Sequence, residues 1–130
     1  MIVIDTSALI AILNSEPEAG AFAEALIVAS RCLIAAPTKF ELLMVAIGRR
    51  SDAGQQAASR LLAEYRVETI DWTEAHADLA IKAFRKYGKG RHKAALNFGD
   101  CMAYALAKSL DAPLLYKGND FALTDLRAAV

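Results

Sequence analysis

The chain has 130 residues, 55% of them apolar, with 15 basic and 15 acidic side chains and no formal net charge. That length and apolar content support one domain over residues 1–130 with its own core, and they exclude intrinsic disorder. The charge balance excludes the strongly basic character that would by itself point to nucleic acid, leaving local patches for that purpose.

Ile2-Val3-Ile4 is a short β-branched run and reads as a buried strand. Thr6 to Leu13 has a helical pattern, and so does Ala19 to Ala29, opened by Glu16-Pro17-Glu18. Cys32 to Ala35 reads as a second strand. Pro37 opens a helix predicted to reach about Arg50, with a break over Ser51 to Gly54 and a further helix over Gln55 to Tyr65. Val67 to Ile70 is the third predicted strand and Thr73 to Tyr87 the next helix. A basic, glycine-bearing loop follows from Tyr87 to Ala94. Asn97 to Leu110 completes the predicted helices, and Pro113 leads into a strand over Leu114 to Tyr116. Beyond Asn119 no pattern dominates.

Cys32 and Cys101 lie far apart with no paired-ligand spacing, so they read as buried free thiols in a reducing cytoplasm. Asp5 interrupts the apolar start, so no signal peptide is expected. No apolar run approaches the ~20 residues that span a membrane.

Short strands separated by helices imply βαβ connections and a parallel sheet. In such sheets ligands sit beyond the carboxyl ends of the strands, near a topological switch point. The residues found there are acids. Asp5 follows the first strand directly, and Glu41 lies six residues beyond the second. Asp100 falls in the first turn of the Asn97 helix, and Asp120 follows the last strand. Each has a local alternative. Asp5 could cap the helix at Thr6. Thr38-Lys39-Phe40-Glu41 matches a capping box, and Asn97-Phe98-Gly99-Asp100 is a weaker version of it. Asp120 could be a turn residue. Taken together, acids behind successive strands on one side call for a common explanation. Two carboxylates ~4 Å apart repel by roughly 4 kcal/mol at an effective dielectric near 20, so a cluster must take up protons or bind a cation. An all-oxygen donor set suits Mg²⁺ or Mn²⁺, ions that serve phosphate chemistry.

Four segments in order resemble the motifs of PIN-domain ribonucleases. These are Met1-Ile2-Val3-Ile4-Asp5-Thr6-Ser7-Ala8-Leu9, Ala36-Pro37-Thr38 with Glu41, Leu96-Asn97-Phe98-Gly99-Asp100-Cys101, and Pro113-Leu114-Leu115-Tyr116-Lys117-Gly118-Asn119-Asp120-Phe121. Tyr87-Gly88-Lys89-Gly90-Arg91-His92 is similar to a segment of bacterial VapC toxins. The resemblance implies a three-layer α/β/α sandwich around a short-stranded, mainly parallel sheet. It further implies a Mg²⁺- or Mn²⁺-dependent endoribonuclease toxin that cleaves RNA phosphodiester bonds by metal-activated water. A cognate VapB-type antitoxin and a homodimer come with it. Its metal-site roles fall on Asp5, Glu41 and Asp100. Asp120 stands as the fourth acid, with Asp125 as the other candidate. Ser7 matches a small hydroxyl residue that holds a carboxylate or water, or caps the helix.

Two other functions compete with the nuclease. A phospho-receiver signalling domain also carries acids at strand ends, but it needs an acidic pair after the first strand. Here Thr6-Ser7 follows Asp5, and Asp71 is the only candidate acceptor. A catalytically inactive PIN-like interaction module would have no reason to keep the acids. His76 reads as a packed histidine, His92 as a loop side chain, and Trp72 as cover for a sheet edge. Arg85, Lys86, Lys89, Arg91 and Lys93 put five cations into nine residues. With Gly88 and Gly90 between them, the segment is predicted to be a mobile flap, with Lys89, Arg91 and Lys93 gripping RNA over the acidic site.

Overall fold

A computed structural model describes all 130 residues. The elements are β1 (Ile2–Ile4), α1 (Thr6–Leu13), α2 (Ala19–Val28), β2 (Cys32–Ala35), α3 (Ala36–Glu64), β3 (Glu68–Ile70), α4 (Glu74–Tyr87), α5 (Phe98–Leu110) and β4 (Leu114–Leu115). The four strands form one parallel sheet in the order β3-β2-β1-β4. The chain thus builds outward from β1 through β2 to β3, then crosses back to lay β4 on the other side of β1. The switch point lies between β1 and β4, and the acid that follows β1 stands at its mouth.

Strands β1, β2 and β4 are apolar on both faces because both faces are covered, whereas the edge strand β3 (Glu68-Thr69-Ile70) is largely exposed. Val3, Leu33, Ala35 and Leu114 pack into one core with α4 and α5. Ile2, Ile4, Cys32, Ile34 and Leu115 alternate with them and pack into a second core with α1, α2 and α3. This is the α/β/α sandwich expected from the sequence. Both cysteines are free and buried. No helix is long and apolar enough to cross a membrane.

The segment without a sequence pattern has a structural use. Phe121–Leu123 forms a 3-10 turn, and Ala128 bridges to Leu114 alongside β4. Leu114 N–H donates to Arg127 O, and Ala129 N–H donates to Leu114 O. The tail thereby covers the backbone edge that β4 would otherwise expose. A single bridge has no periodicity to betray it in sequence.

The predicted interruption after Arg50 is narrower than expected. Only Arg50 and Ser51 leave helical geometry, Ser51 with φ 52° and ψ −139°, and helix resumes at once. Gly54 serves closeness rather than flexibility, since a Cβ there would overlap the backbone carbonyl of Ala46 across the kink. Gly54→Ala is therefore expected to lower stability by about 1–3 kcal/mol, overpacking outweighing the helix propensity of alanine. Ser51→Gly, which relieves a positive φ, is expected to raise it. Chemical denaturation of the two variants checks both signs.

Candidate active site

Three of the predicted acids line one cleft of about 450 Å³, together with Thr6, Ser7, Ile10, Asn14, Glu16, Val45, Arg49, Asn97 and Lys117. Asp5 enters from the end of β1, Glu41 from the second turn of α3, and Asp100 from the first turn of α5. A larger cavity of about 690 Å³ lies at the opposite ends of β2 and β3, where Arg31 and Glu68 are already paired. It gathers none of these acids.

Each acid is fixed through one oxygen. Ser7 donates to Asp5 Oδ2 twice, from its backbone N–H at 3.0 Å and its hydroxyl at 2.6 Å. The same hydroxyl accepts from Lys117 N–H at 3.0 Å, tying β1 to the loop after β4 across the switch point. Thr6 Oγ1 donates to Glu41 Oε1 at 2.6 Å. Asn97 and Asp100 form a complete capping box, with Asn97 N–H on Asp100 Oδ2 at 3.0 Å and Asp100 N–H on Asn97 Oδ1 at 2.9 Å. Asp5 Oδ1, Glu41 Oε2 and Asp100 Oδ1 have no protein partner.

The capping-box alternative for Glu41 fails. Helix α3 begins at Ala36, two residues before Thr38, and has no side-chain cap. Thr38 is buried and its hydroxyl is without a hydrogen bond. Glu41 instead turns toward Thr6 and α5. It comes so close to Gly99 that a Cβ there would overlap its carboxylate. The sequence reading missed Gly99. Its signal was a glycine one residue before an acid, in a helical turn where alanine would ordinarily be preferred.

The other residues singled out in the sequence stand outside the lining of this cleft. Asp120 is exposed and outside the cleft lining, although its charge acts on Asp100. Asp125 is committed elsewhere, accepting from Tyr104 Oη at 2.7 Å and Lys108 Nζ at 2.6 Å. Asp71 ends the edge strand β3, two strands from β1, so no receiver-like arrangement forms. Lys89, Arg91 and Lys93 do not line the cleft. Their loop is a braced turn rather than a loose flap. Lys89 N–H donates to Leu96 O, Leu96 N–H to Tyr87 O, and the N–H groups of Arg91 and His92 to Gly88 O. Of its two glycines only Gly90 has a positive φ, and Gly88 is needed for room beside Phe84. His92 packs edge-on against Tyr87, while His76 caps α4 with Thr73 and stacks on Trp72. The cations in the cleft are Arg49 and Lys117.

Electrostatics register the crowding. Burial pushes the Asp5 carboxyl up to about 6; the Ser7 hydrogen bonds oppose this, and the charges of Asp100 and Glu41 add to it. Asp100 is also raised, by burial first and then by Asp120 and Glu41, against the Asn97 hydrogen bond. No histidine or cysteine lines the cleft, so its donors are hard oxygens. That chemistry fits a small divalent cation better than zinc. The acids do not close on one point: no three His, Cys, Asp or Glu side chains are arranged as a finished shell. The fit is one of donor chemistry and of three acids lining one cleft, each with one oxygen free of protein hydrogen bonds.

A carboxyl with a folded pKa near 6 against an ordinary 3.8 holds its proton more tightly in the folded chain. Its contribution to stability therefore falls as pH rises from about 4 to 6, by about 3 kcal/mol in all. Asp5→Asn removes that cost. Without divalent cations the variant is expected to melt above the wild type at pH values beyond about 6, the gap closing toward pH 4. Thermal melts across this range in EDTA test it, and a variant less stable at neutral pH would contradict it.

Comparison with known proteins places this geometry. A PIN domain family model matches residues 2–126. Ribonuclease VapC36 of Mycobacterium tuberculosis is 44% identical over 125 residues, covering 95% of this chain and 90% of its own. Ribonuclease VapC of Mycolicibacterium smegmatis is 41% identical over 126 residues, covering 97% and 98%. The fold superposes with a TM-score of 0.76 on Mycobacterium tuberculosis VapC20, described as a sarcin–ricin loop cleaving toxin. That match has 14% identity and covers 97% of this chain and 96% of the other. A toxin–antitoxin complex from Klebsiella pneumoniae superposes with a TM-score of 0.74 at 19% identity, covering 100% of this chain and 98% of that one. The two structures speak for the fold, and the sequence matches speak for the family. The chain belongs to the PIN-domain family, among its VapC ribonucleases.

Proposed function

We propose that this protein is the endoribonuclease toxin of a toxin–antitoxin pair, hydrolysing RNA with Mg²⁺ or Mn²⁺ held by Asp5, Glu41 and Asp100. The observation that carries the reading is that acids near the N-terminal ends of three separate helices, α1, α3 and α5, line one cleft, each with one oxygen uncommitted. Bound there, the cation would supply Lewis-acid chemistry, making a water nucleophilic at neutral pH and offsetting charge on the scissile phosphate. The protein's own groups hold the acids still. Ser7 orients Asp5, Thr6 orients Glu41, and Asn97 orients Asp100. No histidine lines the cleft, so carboxylate oxygens are the groups able to accept the proton of the attacking water. In hydrolysis that water forms the new P–O bond, and the bond to the leaving ribose oxygen breaks. Asp120 belongs to an outer position, acting through its charge on Asp100.

Asp5→Asn and Asp100→Asn are each expected to abolish cleavage and weaken Mn²⁺ binding while the fold persists. Excess EDTA is expected to silence the wild type. End-mapping of RNA after expression with and without the neighbouring gene checks the activity in cells, and full activity in either variant or in EDTA would overturn the assignment.

The basic turn is a surface for RNA beyond the cleft. Neutralising Lys89, Arg91 and Lys93 together is expected to weaken RNA binding across sequences. The log–log salt slope should flatten by ~0.7 per lost contact, with metal binding unchanged. Identical affinity and slope would make the turn a plain surface feature.

Assembly is the remaining part of the proposal. Phe40, Met44 and Ile47 follow one another along one face of α3 and are 68%, 54% and 45% exposed. Such a stripe supports a homodimer. The cognate antitoxin would lay an amphipathic segment on the toxin and present an arginine, whose planar fork pairs with carboxylates, to the acids. Sedimentation is expected to show a dimer without antitoxin; a concentration-independent monomer would contradict it.

A further inference from the structure

A cleft lined by Asp5, Glu16, Glu41 and Asp100 repels the polyanion it is proposed to cleave, so some cation must hold the RNA there. Two are present. Lys117 is already engaged, in ion pairs with both Glu16 and Glu18. Arg49 is exposed and has neither an ion pair nor a side-chain hydrogen bond. It lies on the same face of α3 as Glu41 and Val45, at intervals of four residues, and all three line the cleft. Eight residues of helix put Arg49 about 12 Å along the axis from Glu41. Across the cleft, Ser7, Ile10 and Asn14 form the matching face of α1. With Glu16 paired to Lys117, the cleft is polarised along its length, its unpaired carboxylates Asp5, Glu41 and Asp100 toward the Ser7 end and a free guanidinium toward Asn14.

We infer that Arg49 is a substrate-positioning residue. It grips a backbone phosphate of the RNA away from the scissile one and thereby sets the strand's course through the groove between α1 and α3. This rests on the nuclease reading above. A planar guanidinium with free donors suits bidentate contact with phosphate. The kink that follows immediately, at Arg50 and Ser51, ends this stretch of helix at the cleft's far end. The competing explanation is a cation serving only the end of that helical stretch. Arg60 supplies an internal control, because it lies on the same helix beyond the kink and is equally cationic and exposed, yet it lines neither the acidic cleft nor the groove that continues it past Asn14 and Arg50.

The test uses a dye-labelled, random-sequence oligoribonucleotide pool with the full-length wild type, Arg49→Ala, Arg49→Lys and Arg60→Ala. Affinity is read in EDTA over a range of salt, and kcat and KM are read in Mg²⁺ or Mn²⁺. Arg49→Ala is expected to weaken binding and raise KM about tenfold, the scale of one charge-assisted contact. It should also flatten the salt slope by about 0.7. Arg49→Lys should recover part of the loss, and Arg60→Ala should behave as wild type. An Arg49→Ala protein no weaker in binding than Arg60→Ala would overturn the inference. So would one that lowers kcat with KM unchanged. A wild type that binds the pool without cutting it would overturn the nuclease reading instead, and the EDTA comparison would still judge Arg49.

Discussion

Burying Asp5 at the carboxyl end of the central strand costs free energy that its neighbours only partly offset. The side chain is 4% exposed, between two neighbouring strands and the start of α1. Two hydrogen bonds from Ser7 support its charge, while desolvation and two nearby carboxylates oppose it. A group in that position is stable either protonated or beside a cation. The rest of the molecule keeps it there: β2 and β4 flank β1, the two cores close both faces of the sheet, and Ser7 joins the loop after β4 to the end of β1.

The other two acids reach Asp5 by different means. Asp100 is placed locally, by a capping box that also starts α5. Glu41 is placed by contacts remote in sequence, a hydrogen bond from Thr6 and the gap left by Gly99. One acid therefore depends on the first turn of a helix, and the other on how three helices pack. In each case one oxygen is used to aim the group and the other has no protein partner. A site built for ordinary structural pairing would engage both.

What was legible in the sequence follows the same division. Strands buried on both faces appear as plain apolar runs, and the acids behind them were visible as a set. The sandwich, the parallel sheet and the cleft position of Asp5 could be read that way, whereas Asp100 follows a helix and a loop and shows in the sequence only as an acid in the first turn of a helix. Glu41 could not be settled locally, because Thr38-Lys39-Phe40-Glu41 fits a capping box equally well; a threonine 35 residues away decides it. Asp125 looked available until Tyr104 and Lys108 claimed it, also from a distance. The basic loop looked mobile because two glycines were read as freedom. One of them serves close packing, and backbone hydrogen bonds brace the turn. Arg49 was overlooked although its spacing from Glu41 and Val45 was in plain view. Its meaning depends on which face of α3 borders the acids, a fact of tertiary packing.

The central claim is that Asp5 is a buried carboxyl crowded by Asp100 and Glu41 and relieved by a divalent cation. Carbon-13 NMR of the Asp5 carboxyl, titrated with and without Mg²⁺, addresses it directly. In EDTA the midpoint is expected near 6, and with Mg²⁺ it should fall below the ordinary carboxylate range. A midpoint near 3.8 without metal, unmoved by Mg²⁺, would contradict the account.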